Sequence, residues 1–192
     1  MIASAGQVRS GDLRVVLLIG TLFLLPLAAA FCMYYGVGYR PAHHTNHGEL
    51  IEPARALPAS ATIDGTSAFR RVWSLVYVGA HCDEACEHSL YVMRQTHLAL
   101  NNDADRVQRV FIASAEPADA AALARDHPGL LIVDASGARG ENLLRQFPAE
   151  DRSHAIFIVD PLANLIMRFD TRANPKGLRE DLTKLLKLSH VG

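Results

Sequence analysis

A run of 25 residues without a formal charge, residues 15–39, lies between Arg14 and Arg40. A helix needs about 20 apolar residues to cross the roughly 30 Å hydrocarbon core of a membrane. The run therefore predicts a transmembrane anchor over residues 15–39, preceded by a cytoplasmic tail over residues 1–14. A cleaved signal peptide ending near Ala30 is the alternative, but the chain stays apolar for several residues beyond that point instead of turning polar.

The charges that flank the run predict its orientation. Arg9 and Arg14 lie in the short tail, and cytoplasmic flanks of membrane helices carry an excess of basic residues. We therefore expect a single-pass protein of the bacterial inner membrane with its amino terminus in the cytoplasm and its main domain in the periplasm. In that compartment disulfides form and persist.

Charge balance excludes one class of function. Across 192 residues, 19 Lys and Arg stand against 20 Asp and Glu, whereas a non-specific nucleic-acid binder carries a clear basic excess. We therefore predict no nucleic-acid partner.

The anchor is followed by a predicted extended linker over residues 40–69 and a domain over residues 70–192. Pro41, Pro53 and Pro58 break helices in the linker. Three linker histidines could bind a metal loosely or simply be solvated, and the flexibility of the segment favours solvation. They are His43, His44 and His47.

Strand and helix patterns alternate after residue 70. The predicted elements are a strand over 72–78, a helix over 84–100, a strand over 107–113, a helix over 117–127, a short strand over 130–133, hairpin strands over 155–159 and 165–169, and a final helix capped by Asn174. A helix between the first two strands implies a parallel crossover, and the hairpin adds an antiparallel edge. This order, β-α-β-α and then a β-hairpin and α, predicts an α/β domain with a mixed sheet and a thioredoxin-like fold.

Cys82 and Cys86 lie at the turn between the first strand and the first helix of this domain. In open α/β sheets function gathers at the carboxyl ends of the strands, and a helix N-terminus favours the thiolate form of cysteine. The spacing places the two sulfurs about one helical turn apart, so that they can share a soft metal ion or close into a disulfide. A purely structural pair remains an alternative.

Two thiolates leave a metal ion under-coordinated, so a third donor is expected nearby. His154 directly precedes the strand over 155–159, where a thioredoxin carries a cis-proline facing its cysteines. Sulfur and imidazole ligands together suit copper. Zinc would need a fourth donor, which Asp83, Glu84 or a linker histidine could provide.

The remaining candidates are weaker. His81 and His88 flank the cysteine pair and are either outer contacts of a site or solvent-facing residues. His97 lies on the buried stripe of the predicted helix and is interpreted as a core histidine. Cys32 lies in the membrane run and is interpreted as inert packing.

These features resemble a known family. With Cys82-x-x-x-Cys86, the downstream His154 and a single amino-terminal anchor, the domain resembles the Sco/SenC group, membrane-tethered thioredoxin-like proteins that handle copper for cytochrome c oxidase. Residues 82–95 and 154–169 look more like a smaller set of bacterial membrane proteins associated with cytochrome oxidase assembly. The resemblance implies copper binding by Cys82, Cys86 and His154.

The chain departs from the Sco pattern at two places. Sco proteins carry a proline after each cysteine, where this sequence has Asp83 and Glu87. Counted back from Pro161, the Sco histidine falls at Arg152, two residues before His154. A shift of two keeps a side chain on the same side of an extended segment, but it does not fix the ligand distance.

The resemblance implies a metallochaperone rather than an enzyme: an assembly factor that binds or delivers copper to a cytochrome c oxidase subunit or works with its other assembly factors. Two alternatives remain open. One is a membrane-tethered thiol–disulfide reductase acting on oxidase cysteines, in which Cys82 attacks and Cys86 resolves. The other is an interaction module without redox chemistry.

Overall fold

The computed structural model describes residues 10–36, 46–58, 62–63, 66–115 and 120–189. The chain divides into two compact units, Met1–His44 and Thr45–Gly192.

The first unit contains one long helix. Helix α1 spans Ser10–Phe31 with Pro26 inside it, and a π-helical turn, Cys32–Gly36, continues it. Of this helix, Leu13–Gly36 is long and apolar enough to cross a membrane. The helix coincides with the predicted anchor as far as Gly36, and residues 37–39 lie outside the described part of the chain.

The second unit is built on a mixed sheet with the strand order β1-β8-β7-β4-β5-β6. Strands β4, β5 and β6 are parallel, whereas β7 runs antiparallel to β4, β8 to β7 and β1 to β8. The strands of this sheet are β1 (Glu49–Ala56), β4 (Trp73–Gly79), β5 (Val107–Ala113), β6 (Leu130–Asp134), β7 (Ala155–Val159) and β8 (Asn164–Asp170). A separate small hairpin consists of β2 (Thr62–Ile63) and β3 (Thr66–Ser67). The helices are α2 (Glu84–Leu98), α3 (Ala120–Asp126), α4 (Ala138–Leu144) and α5 (Pro175–Leu188).

Alternation along the central strand divides the core into two layers. Leu75 and Tyr77 of β4 pack with the apolar faces of α2 and α5, whereas Val76 and Val78 pack on the opposite side of the sheet, with residues of α4 among their neighbours. All five residues of β7 are buried, as expected for a strand with partners on both sides. The thioredoxin-like α/β fold predicted from the sequence is confirmed.

The linker prediction is wrong for residues 49–56. These residues form strand β1, which pairs antiparallel with β8. The edge strand of the sheet is therefore β1, whereas the sequence predicted that β8, the second strand of the hairpin, would form this edge. The prolines that suggested an unattached segment are compatible with an edge strand, because an edge residue can do without its N–H. Pro53 lies between Leu50 and Arg55, where the register with β8 shifts.

The residues before β1 are also attached to the domain. We call residues 46–48 the strap. The carboxylate of Asp181 on α5 accepts hydrogen bonds from the backbone N–H groups of His47 (2.7 Å) and Gly48 (2.8 Å) and lies 3.1 Å from His47 Nδ1. A Cβ atom at Gly177, one turn earlier on α5, would lie 2.7 Å from the Cβ of His47, so the close approach of the strap requires this glycine. Of the three linker histidines, which were expected to be solvated, His47 contacts the carboxylates of Asp181 and Glu180, and His43 and His44 lie outside the described residues.

Two further differences concern the middle of the domain. Helix α4 has no counterpart among the elements predicted from the sequence. Helix α3 begins at Ala120, and the predicted start of this helix near Pro117 lies outside the described residues.

Candidate functional site

The cysteine pair lies at the carboxyl end of β4, at the start of α2. A disulfide joins Cys82 to Cys86, with their Cα atoms 5.0 Å apart. Asp83, between them, caps α2: its carboxylate accepts the Cys86 N–H (3.0 Å) and its carbonyl accepts the Glu87 N–H (2.9 Å). The cap fixes the first turn of the helix and therefore the position of Cys86.

The two sulfur-bearing residues differ in accessibility. Cys86 is fully buried in the core layer under α2, whereas Cys82 is partly exposed at the rim of that layer. An incoming thiol or metal carrier therefore meets Cys82 first.

His154 ends a short 3₁₀ turn, Arg152–His154, which lies against both α2 and β4. The hydroxyl of Tyr77 on β4 donates to the Ser153 carbonyl (3.2 Å). Thr171, after β8, donates its N–H (2.8 Å) and its hydroxyl (3.2 Å) to the His154 carbonyl. The fold thus brings the turn that carries His154 to the helix that carries Cys86.

The oxidised pair does not form a metal site as it stands. Among the residues that the structure describes, no group of three or more His, Cys, Asp and Glu side chains is placed to hold a metal ion. Sulfurs that share a disulfide offer no thiolate, and thiolate is the form that ligates metals. Ligation by Cys82, Cys86 and His154 therefore stays a prediction for the reduced pair.

The other sequence candidates have identifiable surroundings. His97 Nε2 lies 2.9 Å from the Val107 carbonyl, which fits its interpretation as a core histidine. His88 Nε2 lies 3.2 Å from the Thr171 carbonyl, although its side chain is exposed, and His81 and Glu84 are exposed. Cys32 is a free cysteine on the π-helical turn.

The side chain at position 152 is committed to another role. The guanidinium of Arg152 donates to the carbonyls of Leu144, Phe147 and Pro148, at and just beyond the end of α4. Burial lowers the pKa of Arg152. The side chain at position 152 therefore stabilises the end of α4. His154 is the residue of this turn that can offer an imidazole.

The sequence did not predict the contacts that Tyr77 and Thr171 make with the turn Arg152–His154. Burial, together with the negative charge of Asp83, raises the pKa of Tyr77 to about 12. The hydroxyl is therefore a hydrogen-bond donor throughout the physiological pH range. Nothing in the spacing of a buried strand or a turn after β8 predicts that these two residues meet the same short turn.

Comparison with known proteins places this geometry in a family. Residues 73–189 match the family described as the transmembrane-like, thioredoxin-like, C-terminal domain. The chain belongs to this family. No curated protein matches the sequence.

Solved structures with a similar fold include several Sco proteins. The solution structure of apo Sco1 from Thermus thermophilus is 19% identical with a TM-score of 0.59, covering 76% of this chain and 99% of that one. Yeast Sco1 with copper bound is 16% identical with a TM-score of 0.53, covering 63% and 82%. Arabidopsis thaliana ScoI with copper bound is 16% identical with a TM-score of 0.50, covering 63% and 88%. At these identities the likeness shows a shared fold.

Proposed function

We propose that this protein is a membrane-tethered assembly factor of cytochrome c oxidase that binds and delivers copper on the periplasmic side of the bacterial inner membrane. Cys82 and Cys86 provide two thiolates once reduced, and His154 provides the third ligand. Copper is the cargo, and an oxidase subunit or another assembly factor is the recipient.

The observation that carries the proposal is the disulfide at the start of α2. Two sulfurs lie within bonding reach of each other at the start of α2, and the turn that ends at His154 contacts the same helix. A soft ion such as Cu(I) prefers two thiolates with an imidazole. The yeast and Arabidopsis Sco structures, which have a similar fold, have copper bound, and this supports a copper function for the present chain.

Copper loading requires the disulfide to open. A dithiol reductant delivers two electrons and two protons: its own thiols become a disulfide, and the Cys82–Cys86 bond is replaced by two thiols. Binding of Cu(I) then releases the two thiol protons. Because Cys82 is the exposed partner, the reductant attacks Cys82 and Cys86 departs as the thiolate.

The test measures Cu(I) affinity of the full-length protein in detergent, reduced with a phosphine, against a chromophoric Cu(I) competitor. We expect one Cu(I) per chain, loss of binding in Cys82→Ser and Cys86→Ser, and weaker binding in His154→Ala. Cys32→Ala and His81→Ala are the matched controls, because they remove the free thiol of the amino-terminal helix and an exposed imidazole adjacent in sequence to Cys82. A reduced wild-type protein that binds no copper would end the proposal.

The same disulfide, with Cys82 partly exposed and Cys86 buried, favours a thiol–disulfide reductase as the second candidate function. In a thiol–disulfide reductase, reduced Cys82 attacks a client disulfide, a Cys82–client bond forms, and Cys86 then displaces the reduced client while the Cys82–Cys86 bond closes. This chemistry needs no imidazole from His154.

The two functions separate on two variants. A reductase accumulates a mixed disulfide with its client in Cys86→Ser, keeps its activity in His154→Ala, and ends each turnover in the oxidised state. A copper carrier loses oxidase maturation in cells that produce His154→Ala and regains it on addition of excess copper. Purification of Cys86→Ser from cells under thiol-blocking conditions, followed by mass spectrometry of the attached chain, measures the first outcome.

A further inference from the structure

Two successive carbonyl groups of the turn Arg152–His154 accept hydrogen bonds from residues outside the turn. The hydroxyl of Tyr77, on β4, donates to the Ser153 carbonyl, and Thr171 donates both its backbone N–H and its hydroxyl to the His154 carbonyl. Tyr77 and Thr171 are each only 2% exposed. Buried donors of this kind are costly to leave without a partner, so these bonds restrict where the turn can lie.

The turn needs such support because its own bonds are few. It contains three residues, and the His154 N–H reaches back to the Asp151 carbonyl at 3.2 Å. Asp151, which precedes the turn, has a φ of 46°, in the left-handed region that residues other than glycine rarely adopt. The side chain of Asp151 is held by Arg172, the neighbour of Thr171. The segment after β8 thus binds both the residue before the turn, through Arg172, and the last residue of the turn, through Thr171.

Thr171 also contacts the cysteine helix. In its Nε2-protonated tautomer, His88 on α2 donates to the Thr171 carbonyl (3.2 Å). His88 is two residues beyond Cys86, so one buried threonine is hydrogen-bonded both to the helix of the cysteine pair and to the backbone of His154.

We propose that Tyr77 and Thr171 are positioning residues that hold the backbone of His154 at a fixed place against α2, the helix that carries Cys86. The proposal rests on the proposed copper function for its purpose, but its geometry concerns the metal-free chain. Residues that orient a metal ligand typically change metal affinity 10- to 100-fold when they are replaced. Neither residue touches the metal in this scheme.

The experiment uses the full-length protein in detergent and two conservative variants, Tyr77→Phe and Thr171→Val, which remove one hydroxyl each. Tyr91→Phe and Thr183→Val are the matched controls: Tyr91 is exposed on α2, and Thr183 is partly exposed on α5, where its hydroxyl donates to the Arg179 carbonyl of the same helix. Amide hydrogen exchange of metal-free protein is measured over residues 150–156 and around position 171. Cu(I) affinity is measured for each variant alone and in a His154→Ala background.

Positioning predicts faster exchange of residues 150–156 in Tyr77→Phe and Thr171→Val but not in the controls. It also predicts about 10-fold weaker Cu(I) binding in each variant, an effect that disappears when His154 is already alanine. Unchanged exchange overturns the proposal, and so does an equal loss of affinity in the His154→Ala background, since that would be a general structural effect. If the wild-type protein binds no copper, the proposed function fails while the exchange measurement still decides whether the two hydroxyls hold the turn.

Discussion

At the scale of single residues, two side chains of one turn have separate tasks. Arg152 donates to three carbonyls around the end of α4, whereas His154 lies at the other end of the turn, next to α2. The comparison with the Sco pattern placed the expected histidine at position 152. In this chain that position stabilises α4, because free carbonyls at a helix end need donors.

This assignment predicts the result of moving the histidine. Arg152→His removes three hydrogen bonds from a charged donor, and we expect a loss of about 2 kcal/mol in the free energy of unfolding, measured by urea denaturation. Arg145→His is the control, since that guanidinium is exposed and its side-chain contact is with Asn142. Equal stability of the two variants would contradict the role given to Arg152.

A second residue-scale prediction concerns acid. Hydrogen bonds from Arg172 lower the pKa of Asp170 from 3.8 to about 2. A carboxyl group whose pKa is lowered by folding stabilises the folded state above its ordinary pKa and loses that contribution as the pH falls toward 2. We therefore expect Arg172→Gln to raise the Asp170 pKa toward 3.8, measured by carboxyl NMR titration.

The same change has a stability signature. The difference in unfolding free energy between wild type and Arg172→Gln is expected to be constant above about pH 5, to fall as the pH drops through 2, and to vanish only below that pH. It is also expected to shrink in 1 M salt, because the pair is exposed and screened. A difference that does not fall between pH 5 and pH 2 would assign Arg172 an uncharged role.

At the scale of elements, α5 has two faces with different functions. Its apolar face, with Leu178 and Leu182, packs under the sheet, and Asp181 holds the strap. The Asp181 side chain is 1% exposed, and its carboxylate is stabilised by the two backbone N–H groups that donate hydrogen bonds to it. The strap in turn fixes the start of β1.

Asp181→Asn is expected to lower the free energy of unfolding by about 1–3 kcal/mol, because it replaces a buried charged acceptor of two backbone donors. Proteolysis and amide exchange at residues 46–50 should both accelerate. Asp126→Asn, the same substitution at an exposed carboxylate of α3, is the control and should leave all three measurements unchanged. A strap that stays protected in Asp181→Asn would show that Gly177 and β1 suffice to hold it.

The elements also show which parts of the fold a sequence can reveal. Strands β4, β5 and β7 were predicted with nearly their observed bounds, because each is a continuous apolar run bounded by turn residues. Asn174 caps α5 as predicted. Strand β1 was missed because most of its residues are exposed: its pairing depends on β8, more than a hundred residues away, and leaves no apolar alternation.

The residues of the candidate site also divide into those with a local sequence signal and those that depend on contacts between distant segments. Cys82 and Cys86 were found because their spacing at a strand-to-helix turn is a local signal, and the disulfide between them was one of the states left open. The contacts of Tyr77 and Thr171 with the His154 turn join segments separated by up to 76 positions. No spacing rule covers such contacts.

At the scale of the whole molecule, the described residues include one helix long and apolar enough to cross a membrane, and we predict that it anchors the thioredoxin-like unit. We expect an alkaline phosphatase fused after residue 192 to be active and a green fluorescent protein at the same place to be dark, because the domain is predicted to be periplasmic. The reverse pattern would contradict the orientation proposed from Arg9 and Arg14.

Cleavage is tested on the same preparation. An uncleaved anchor predicts an intact mass that includes residues 15–39 and a protein that resists alkaline extraction from membranes. A mature chain that starts near residue 31 would identify the segment as a signal peptide instead.

The edge position of β1 has a practical consequence for work with the soluble part. A fragment cut at residue 70, where the apolar pattern of the domain begins, would remove β1 and leave the outer edge of β8 without a partner for its outward-pointing backbone N–H and C=O groups, on a strand whose alternate residues are buried. Such an edge is a template for self-association of chains through their sheets. Fragments intended for crystallisation or spectroscopy should therefore begin no later than Asn46, and precipitation of shorter ones would reflect the missing strand rather than the chemistry of the cysteines.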